Sequence, residues 1–309
     1  MIILRFTSGL GNQMFQYAFY TFLKKRYPES SVKADLTWFS WHNEHQGWEL
    51  EKLFMRPDNP GFTLESASPL EIFRCSGAFP QTKEWVRYPN RLLRIFTGRH
   101  FEKCRIEESG HHDAEETYRA VTGIKEKENR YITGFFLDER YYADSLDSLK
   151  TLFSFDINRF GKKNLELARQ IVGTVSVSIH VRRGDYLSDT YKNDFVCLGR
   201  PYYKSAVAEI RKRLDGEATF FIFSDDKEFI KREFEWLPRK VIVEGNEGKN
   251  SWKDMALMTF CKGNIIANST FSIWGALLNR HPGAPVIYPK AYLTDQDNAV
   301  SSVPGWIRL

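Results

Sequence analysis

Five short β-prone runs in the second half of the chain decide its fold class: TVSVSIHV (174–181), ATFFIFS (218–224), KVIVEG (240–245), NIIAN (264–268) and PVIYP (285–289). Between them lie stretches with helical apolar spacing: Pro201 to about Leu214, a further helix after FSDD, SWKDMALMTFC (251–261) and TFSIWGALLN (270–279), with another helix at Lys163–Ile171 before the first run. Strands and helices that alternate so regularly form a parallel sheet with helices on both faces, a doubly wound domain. In such sheets ligands bind beyond the carboxyl ends of the strands, so residues just after each run are the first candidates for function.

The first half begins in the same way. Ile2–Phe6 reads as a strand, TSGLGNQ (7–13) as a loop, and a helix runs from about Gln13 with Met14, Ala18 and Phe22 on one stripe and Phe15, Phe19 and Leu23 beside it. Tyr27-Pro28 ends that helix and SVKADL (31–36) supplies a second strand. From Trp41 to Asn129 the pattern is irregular, with short helical pieces, before a strand at Tyr131–Phe136 leads into a helix. A length of 309 residues suits two domains, placed at 1–155 and 156–309.

A net charge of +5 suits an anionic ligand but is too small to imply nucleic acid. Cys75, Cys104, Cys197 and Cys261 form no CxxC pair, which fits a reducing compartment better than a disulfide framework. The N-terminus lacks the pattern of a signal peptide and no run is apolar enough to span a bilayer, so the expectation is a soluble cytoplasmic protein.

Three polar clusters follow strands: HVRRGD (180–185), FSDD (223–226) and ANSTFS (267–272). Arginine forks grip phosphate oxygens bidentately, and NSTFS puts hydroxyls and backbone N–H groups at a helix start, where anions bind. Together they read as a diphosphate cradle. The competing readings are an ion pair of the arginines with Asp185 and an ordinary helix cap at NSTFS. Strand alternation sets His180 and Arg182 on one face and Val181 and Arg183 on the other, so one arginine is expected on the ligand and the other in a structural network. Asp225 and Asp226 suit a ribose or guanine contact or a helix cap. A metal is the lesser reading, because adjacent carboxylates point in different directions.

SGLGNQ is not a complete dinucleotide fingerprint, yet it places Gly11, Asn12 and Gln13 at a strand end, where they are expected to meet sugar hydroxyls. RGD at Arg183–Asp185 follows a core strand and is no adhesion loop. HHDAEE (111–116) reads as a solvated helix face. The basic segment 87–105 reads equally as an exposed face or as a helix on an anionic membrane surface.

SGLGNQMFQYAFY (8–20), GFFLDERYY (134–142), HVRRGDY (180–186), FSDD and MTFCKGNIIANSTFSIWGALL (258–278) stand in the order seen in α-1,2-fucosyltransferases of glycosyltransferase family 11, which the chain resembles over nearly its whole length. It departs at Gly263, where many members have histidine, and at Ile273, where tryptophan is common. The resemblance implies a GT-B-like fold, two Rossmann-like α/β domains facing across a cleft. It implies GDP-fucose on the C-terminal domain and the acceptor on the N-terminal one. The reaction implied is an inverting, metal-independent transfer of L-fucose to the 2-hydroxyl of a terminal β-galactoside, in an oligosaccharide or lipid-linked glycan, with no cofactor. By the same resemblance Arg182 holds the donor β-phosphate, Arg183 and Asp185 support it, and His180 lies beside it. Ser224, Asp225 and Asp226 would position the nucleoside, and Asn268, Ser269, Thr270, Phe271 and Ser272 the diphosphate. Bacterial O-antigen synthesis in the cytoplasm, at or near the inner membrane, is the implied setting. No proton acceptor is singled out among Asp185, Asp189 and Asp194. The alternatives are a transferase using another nucleotide sugar or linkage, and a sugar-binding protein without turnover.

Overall fold

Strand β1 (Ile2–Arg5) seeds the N-terminal unit: Ile2, Ile3 and Leu4 are fully buried, as a strand covered on both faces requires. The computed structural model describes residues 1–42, 45–80, 101, 103–108, 114–189, 192–291 and 303–309. Its chain forms two compact units, Met1–Ser154 and Phe155–Leu309.

In the first unit β1 is followed by helix α1 (Leu10–Arg26) and strand β2 (Val32–Asp35). Short helices α2 (Leu50–Phe54) and α3 (Pro69–Ser76) lead to strand β3 (Arg105–Glu107), helix α4 (Ala114–Thr122), strand β4 (Arg130–Thr133) and helix α5 (Leu146–Leu152). The sheet order is β2-β1-β4-β3, all parallel, with Ile2 beside both Val32 and Arg130. Helix α1 starts three residues earlier than its sequence suggests. Gly9 takes an extended conformation (φ −84°, ψ 177°) as its cap, and burial of Leu10 draws the first turn inward. GNQ therefore belongs to the helix and not to a loop. Around α1 the aromatic core closes through Tyr17 on Phe62 at 4.4 Å and Phe19 on Phe136 at 3.7 Å.

The irregular middle contains a legible signal. SPLE at 68–71 is a capping box: Ser68 N–H donates to Glu71 Oε2 at 2.8 Å, Ser68 Oγ accepts from Glu71 N–H at 3.4 Å, and Pro69 starts α3. Strand β4 ends at Thr133, not at Phe136, because Gly134 (φ 156°) and Phe136 (φ 56°) turn the chain out of the sheet. Segment 87–100 and His111–Asp113 lie outside the described residues. Glu115 on α4 pairs with Arg119 and Arg140 at the surface.

The second unit runs helix α6 (Gly161–Val172), strand β5 (Val175–Val181), helix α7 (Arg200–Arg211), strand β6 (Ala218–Ser224), helix α8 (Lys227–Glu233) and strand β7 (Lys240–Ile242). Helix α9 (Trp252–Met258), strand β8 (Gly263–Ile265), helix α10 (Thr270–Leu277), strand β9 (Val286–Tyr288) and strand β10 (Ile307–Arg308) complete it. The order is β10-β9-β8-β5-β6-β7, again parallel throughout. β10, two residues long, carries too little pattern to be read from sequence. Val177, Ile179 and Val181 pack with Ala206, Val207 and Ile210 of α7, Ile230 of α8 and Phe234 just after it. The alternate residues Ser176 and Ser178 turn to the other face, where Asn264 Nδ2 donates to Ser178 Oγ at 2.7 Å. Gly263, one of the two departures from the family pattern, sits where a Cβ would meet Ile210 Cδ1 at 2.9 Å. The close approach of α7 to the sheet explains the glycine.

A buried polar seam joins α6 to α9. Asn164 and Asn246 exchange carboxamide bonds at 2.8 and 2.9 Å, and Asn246 Nδ2 donates to Asp254 Oδ1 at 2.7 Å. Burial pushes the Asp254 carboxyl up to about 7 against the pull of Asn246 and Lys227. A folded value above the unfolded one means that the proton favours the fold: the contribution is complete below pH ~4 and is lost as pH rises through 7. Asp254→Asn keeps the acceptor oxygen without the charge. It should gain on wild type by on the order of 3 kcal/mol between pH 4.5 and 8 in paired urea titrations. A constant difference between the two proteins across that range would refute the assignment.

Candidate functional site

β5 and β6 pair residue for residue, from Val175 beside Ala218 to Val181 beside Ser224. The residues that follow, Arg182-Arg183-Gly184 and Asp225-Asp226, therefore emerge side by side at the carboxyl edge of the sheet. Arg182 donates from Nη2 to Asp185 Oδ2 at 2.7 Å and lies with Nη1 3.0 Å from Asp225 Oδ2. Burial disfavours its charge, but Asp225 and Asp185 more than offset this and hold the guanidinium firmly protonated. The Arg183 backbone N–H donates to Asp225 Oδ1 at 3.0 Å. Its Nε donates to Asp226 Oδ2 at 3.2 Å, and its guanidinium carbon stands 3.6 Å from the centre of the Phe229 ring.

Both arginines are thus ion-paired, and Arg183 is held on two sides. Asp226 also caps α8, accepting from Phe229 N–H at 2.9 Å, while Ser224 Oγ accepts from Asp226 N–H at 3.0 Å. In the fold Asp225 braces the arginine turn, and Asp226 is the helix cap that its sequence allows and an ion-pair partner of Arg183.

Next to this pair, the chain leaves β8 and passes through Ala267 and Asn268 to α10. Asn268 Nδ2 donates to Val196 O at 2.8 Å and its backbone carbonyl accepts from Tyr186 Oη at 2.5 Å, so the buried residue ties loops together. Ser269 occupies the cap position of α10 without a side-chain cap bond, and Thr270 and Phe271 are half-buried beside it. Ser272 is fully buried, and its hydroxyl proton is shared between Ala267 O and Ser269 O, so its side chain locks the helix start. His180 is 5% exposed, its ring 5.6 Å from that of Phe271, and its Nδ1 lacks a hydrogen-bond partner. Burial, then Arg182 and Lys227, hold its pKa down to about 3, so it is neutral and has no acidic proton to give.

In the N-terminal unit Gln13 is likewise taken. Its Nε2 donates to Ser8 O and Gly47 O at 2.8 Å each, and its Oε1 accepts from Glu49 N–H at 2.9 Å. Fully buried, it cannot meet a sugar. Gly11 is buried too, and Asn12 is half-buried. Sequence reading passed over Tyr186, which stacks on Phe195 at 4.3 Å and lies 6.0 Å beneath Arg182, and Phe229 under Arg183. Tyr186 closes the HVRRGDY motif, so the motif itself carried the signal. Asp189 is paired with Lys192 at the surface, well exposed.

The model of glycosyl transferase family 11 matches residues 1–309. An α-1,2-colitosyltransferase of Escherichia coli is 32% identical over 100% of this chain and 99% of its own length. The O-antigen biosynthesis glycosyltransferase WbnK of Escherichia coli is 27% identical over 98% of each chain. Among solved structures, the fucosyltransferase NodZ from Bradyrhizobium superposes with a TM-score of 0.53 at 13% identity, covering 90% of this chain and 92% of its own, a likeness of fold alone.

Gly184 offers a direct probe of the cradle. A Cβ there would stand 2.9 Å from Asp225 Oδ2. Gly184→Ala should push Asp225 off Arg182 and cost about 1–3 kcal/mol, read as a lowered melting temperature. An unchanged melting temperature would show that the Asp225 contact does not brace Arg182.

Proposed function

Because the chain belongs to glycosyl transferase family 11, we propose that it transfers L-fucose from GDP-fucose to the 2-hydroxyl of a terminal β-galactoside, with inversion and without a metal. The observation that carries this reading is the Arg182 guanidinium, kept charged and oriented by Asp185 and Asp225 at the carboxyl edge of a parallel sheet.

As the bond between the fucosyl carbon and the phosphate oxygen breaks, negative charge grows on the leaving diphosphate. A guanidinium has five N–H donors, and the two carboxylates take one on each terminal nitrogen. The remainder can grip phosphate oxygens, with the backbone N–H groups at the start of α10 alongside. One preorganised donor of this kind is worth about 2.7–4 kcal/mol in the transition state. The acceptor hydroxyl attacks the opposite face of the sugar, and its proton leaves to solvent or to the departing phosphate.

One observation favours a second donor. The full-length relative is named a colitosyltransferase, and colitose is fucose without its 3-hydroxyl. Either sugar presents the same diphosphate to Arg182. The acceptor is a galactose-ended oligosaccharide, free or lipid-linked, met in the bacterial cytoplasm or at the inner membrane. The O-antigen name of the second relative supports that setting, and no helix among the described residues is long and apolar enough to cross a membrane.

The test is GDP release with EDTA present, with and without lactose, comparing GDP-fucose and GDP-colitose. Lactose-stimulated release is expected, and Arg182→Ala should lower kcat about 10²–10³-fold, with a melting temperature lowered by loss of the Asp185 and Asp225 pairs but still above the assay temperature. Loss of turnover in EDTA would remove the metal-free clause. Full activity of the variant would remove Arg182 from the mechanism.

A further inference from the structure

The carboxyl edge of the N-terminal sheet holds backbone in conformations that ordinary side chains avoid. Ser8, after β1, has φ 65° and Phe136, after β4, has φ 56°, with Gly134 at 156° before it. Positive φ at a serine and a phenylalanine persists only where surrounding bonds impose it. Those bonds are present, and they come from buried polar side chains. Gln16, fully buried, accepts from Thr7 N–H at 3.0 Å and donates to Thr7 Oγ1 at 3.3 Å and Gly134 O at 2.9 Å, so one carboxamide ties the loop after β1 to the loop after β4. Gln13 holds Ser8 O from the adjoining turn of α1. The Glu108 carboxylate accepts from both Phe135 N–H at 2.8 Å and Phe136 N–H at 2.7 Å.

What this bracing achieves is visible in the two phenylalanines. Phe136 is fully buried and stacks on Phe19 at 3.7 Å. Phe135, its neighbour, is turned outward and stays 42% exposed. Val172 on α6 and Leu70 on α3 are also exposed, but they sit on ordinary helices and need no explanation. Phe135 differs because its backbone is clamped by a carboxylate in a strained loop at a sheet edge of the kind where α/β folds bind ligands.

We propose that Phe135 is the platform on which the acceptor sugar stacks, its ring lying against the apolar C–H face of a hexopyranose, and that Gln16 and Glu108 are positioning residues that hold it outward. Resting on the glycosyltransferase reading, this assigns the acceptor site a side chain that touches substrate. A flat aromatic surface suits a galactopyranoside, whose C–H bonds gather on one face, while its hydroxyls remain available to the polar groups of the neighbouring loops. An exposed ring on a fixed backbone loses little entropy on binding, so its whole contact area counts toward affinity.

The test compares wild type, Phe135→Ala and Phe135→Tyr. With GDP-fucose as donor and lactose as acceptor, Phe135→Ala should raise the lactose KM at least about tenfold, leaving the GDP-fucose KM, the acceptor-free hydrolysis of donor and the melting temperature unchanged. Phe135→Tyr, which keeps the ring, should restore the lactose KM. An unchanged lactose KM in the alanine variant overturns the proposal, and so does an equal rise in both KM values. If wild type transfers nothing to lactose, the transferase reading with this donor and acceptor has failed, and saturation-transfer NMR on lactose still decides on Phe135. Binding by wild type that is lost in the alanine variant supports the platform. Equal binding by both proteins, or binding by neither, overturns it.

Discussion

The pairing of β5 with β6, in register to its last residue, is the constraint on which the site depends. It brings two arginines and two aspartates out of the sheet at one level, Arg182-Arg183 beyond Val181 and Asp225-Asp226 beyond Ser224. A parallel pair evenly bonded along its length leaves no freedom at its end. A slip of one residue would exchange the faces of every side chain on the strand and turn Val177, Ile179 and Val181 away from α7 and α8. The apolar core thereby sets the electrostatics of a cluster that it does not touch.

That cluster is balanced and not simply positive. Isolated arginines at a half-buried sheet edge would carry a large desolvation cost, and the carboxylates of Asp185, Asp225 and Asp226 offset it. The same contacts fix the guanidinium planes before any ligand arrives. Reorganisation during a charge-separating reaction is therefore small, the condition under which a hydrogen-bond donor contributes most to catalysis. Arg183, between Asp226 and the Phe229 ring, acts as scaffold, and Arg182 keeps N–H donors beyond those its two carboxylates take.

The N-terminal unit solves a related problem with neutral groups. Gln13 and Gln16 are wholly buried on α1, and each satisfies backbone groups from loops that the sheet cannot reach. Buried carboxamides carry the desolvation cost of polar groups without that of charges, and each can serve a donor and an acceptor at once. Helix α1 is thus both a core element and the frame for the loops after β1 and β4. In sequence Gln13 looks like a ligand contact beside a glycine-rich turn, because a local reading shows the functional group but not what surrounds it.

The alternation of strands and helices in the second half, the β1–α1–β2 opening, the three polar clusters after strands and the family itself were legible from residues alone. Period, strand propensity and helix-start chemistry are local properties, and they survive without knowledge of contacts. Strand β3 and the two-residue β10 were not legible, since such short strands exist only through their partners β4 and β9. Nor was the commitment of each polar group. Ser272 turned inward to its own helix start, Gln13 to Ser8, Gly47 and Glu49, and Asp225 to the arginines. Sequence determined which chemistry this protein carries and at which sheet edge. Tertiary structure decided which of those groups remain for a ligand, because a buried donor or acceptor must find a partner inside the fold, and for Gln13 and Asp225 that partner includes groups tens of residues away in the chain.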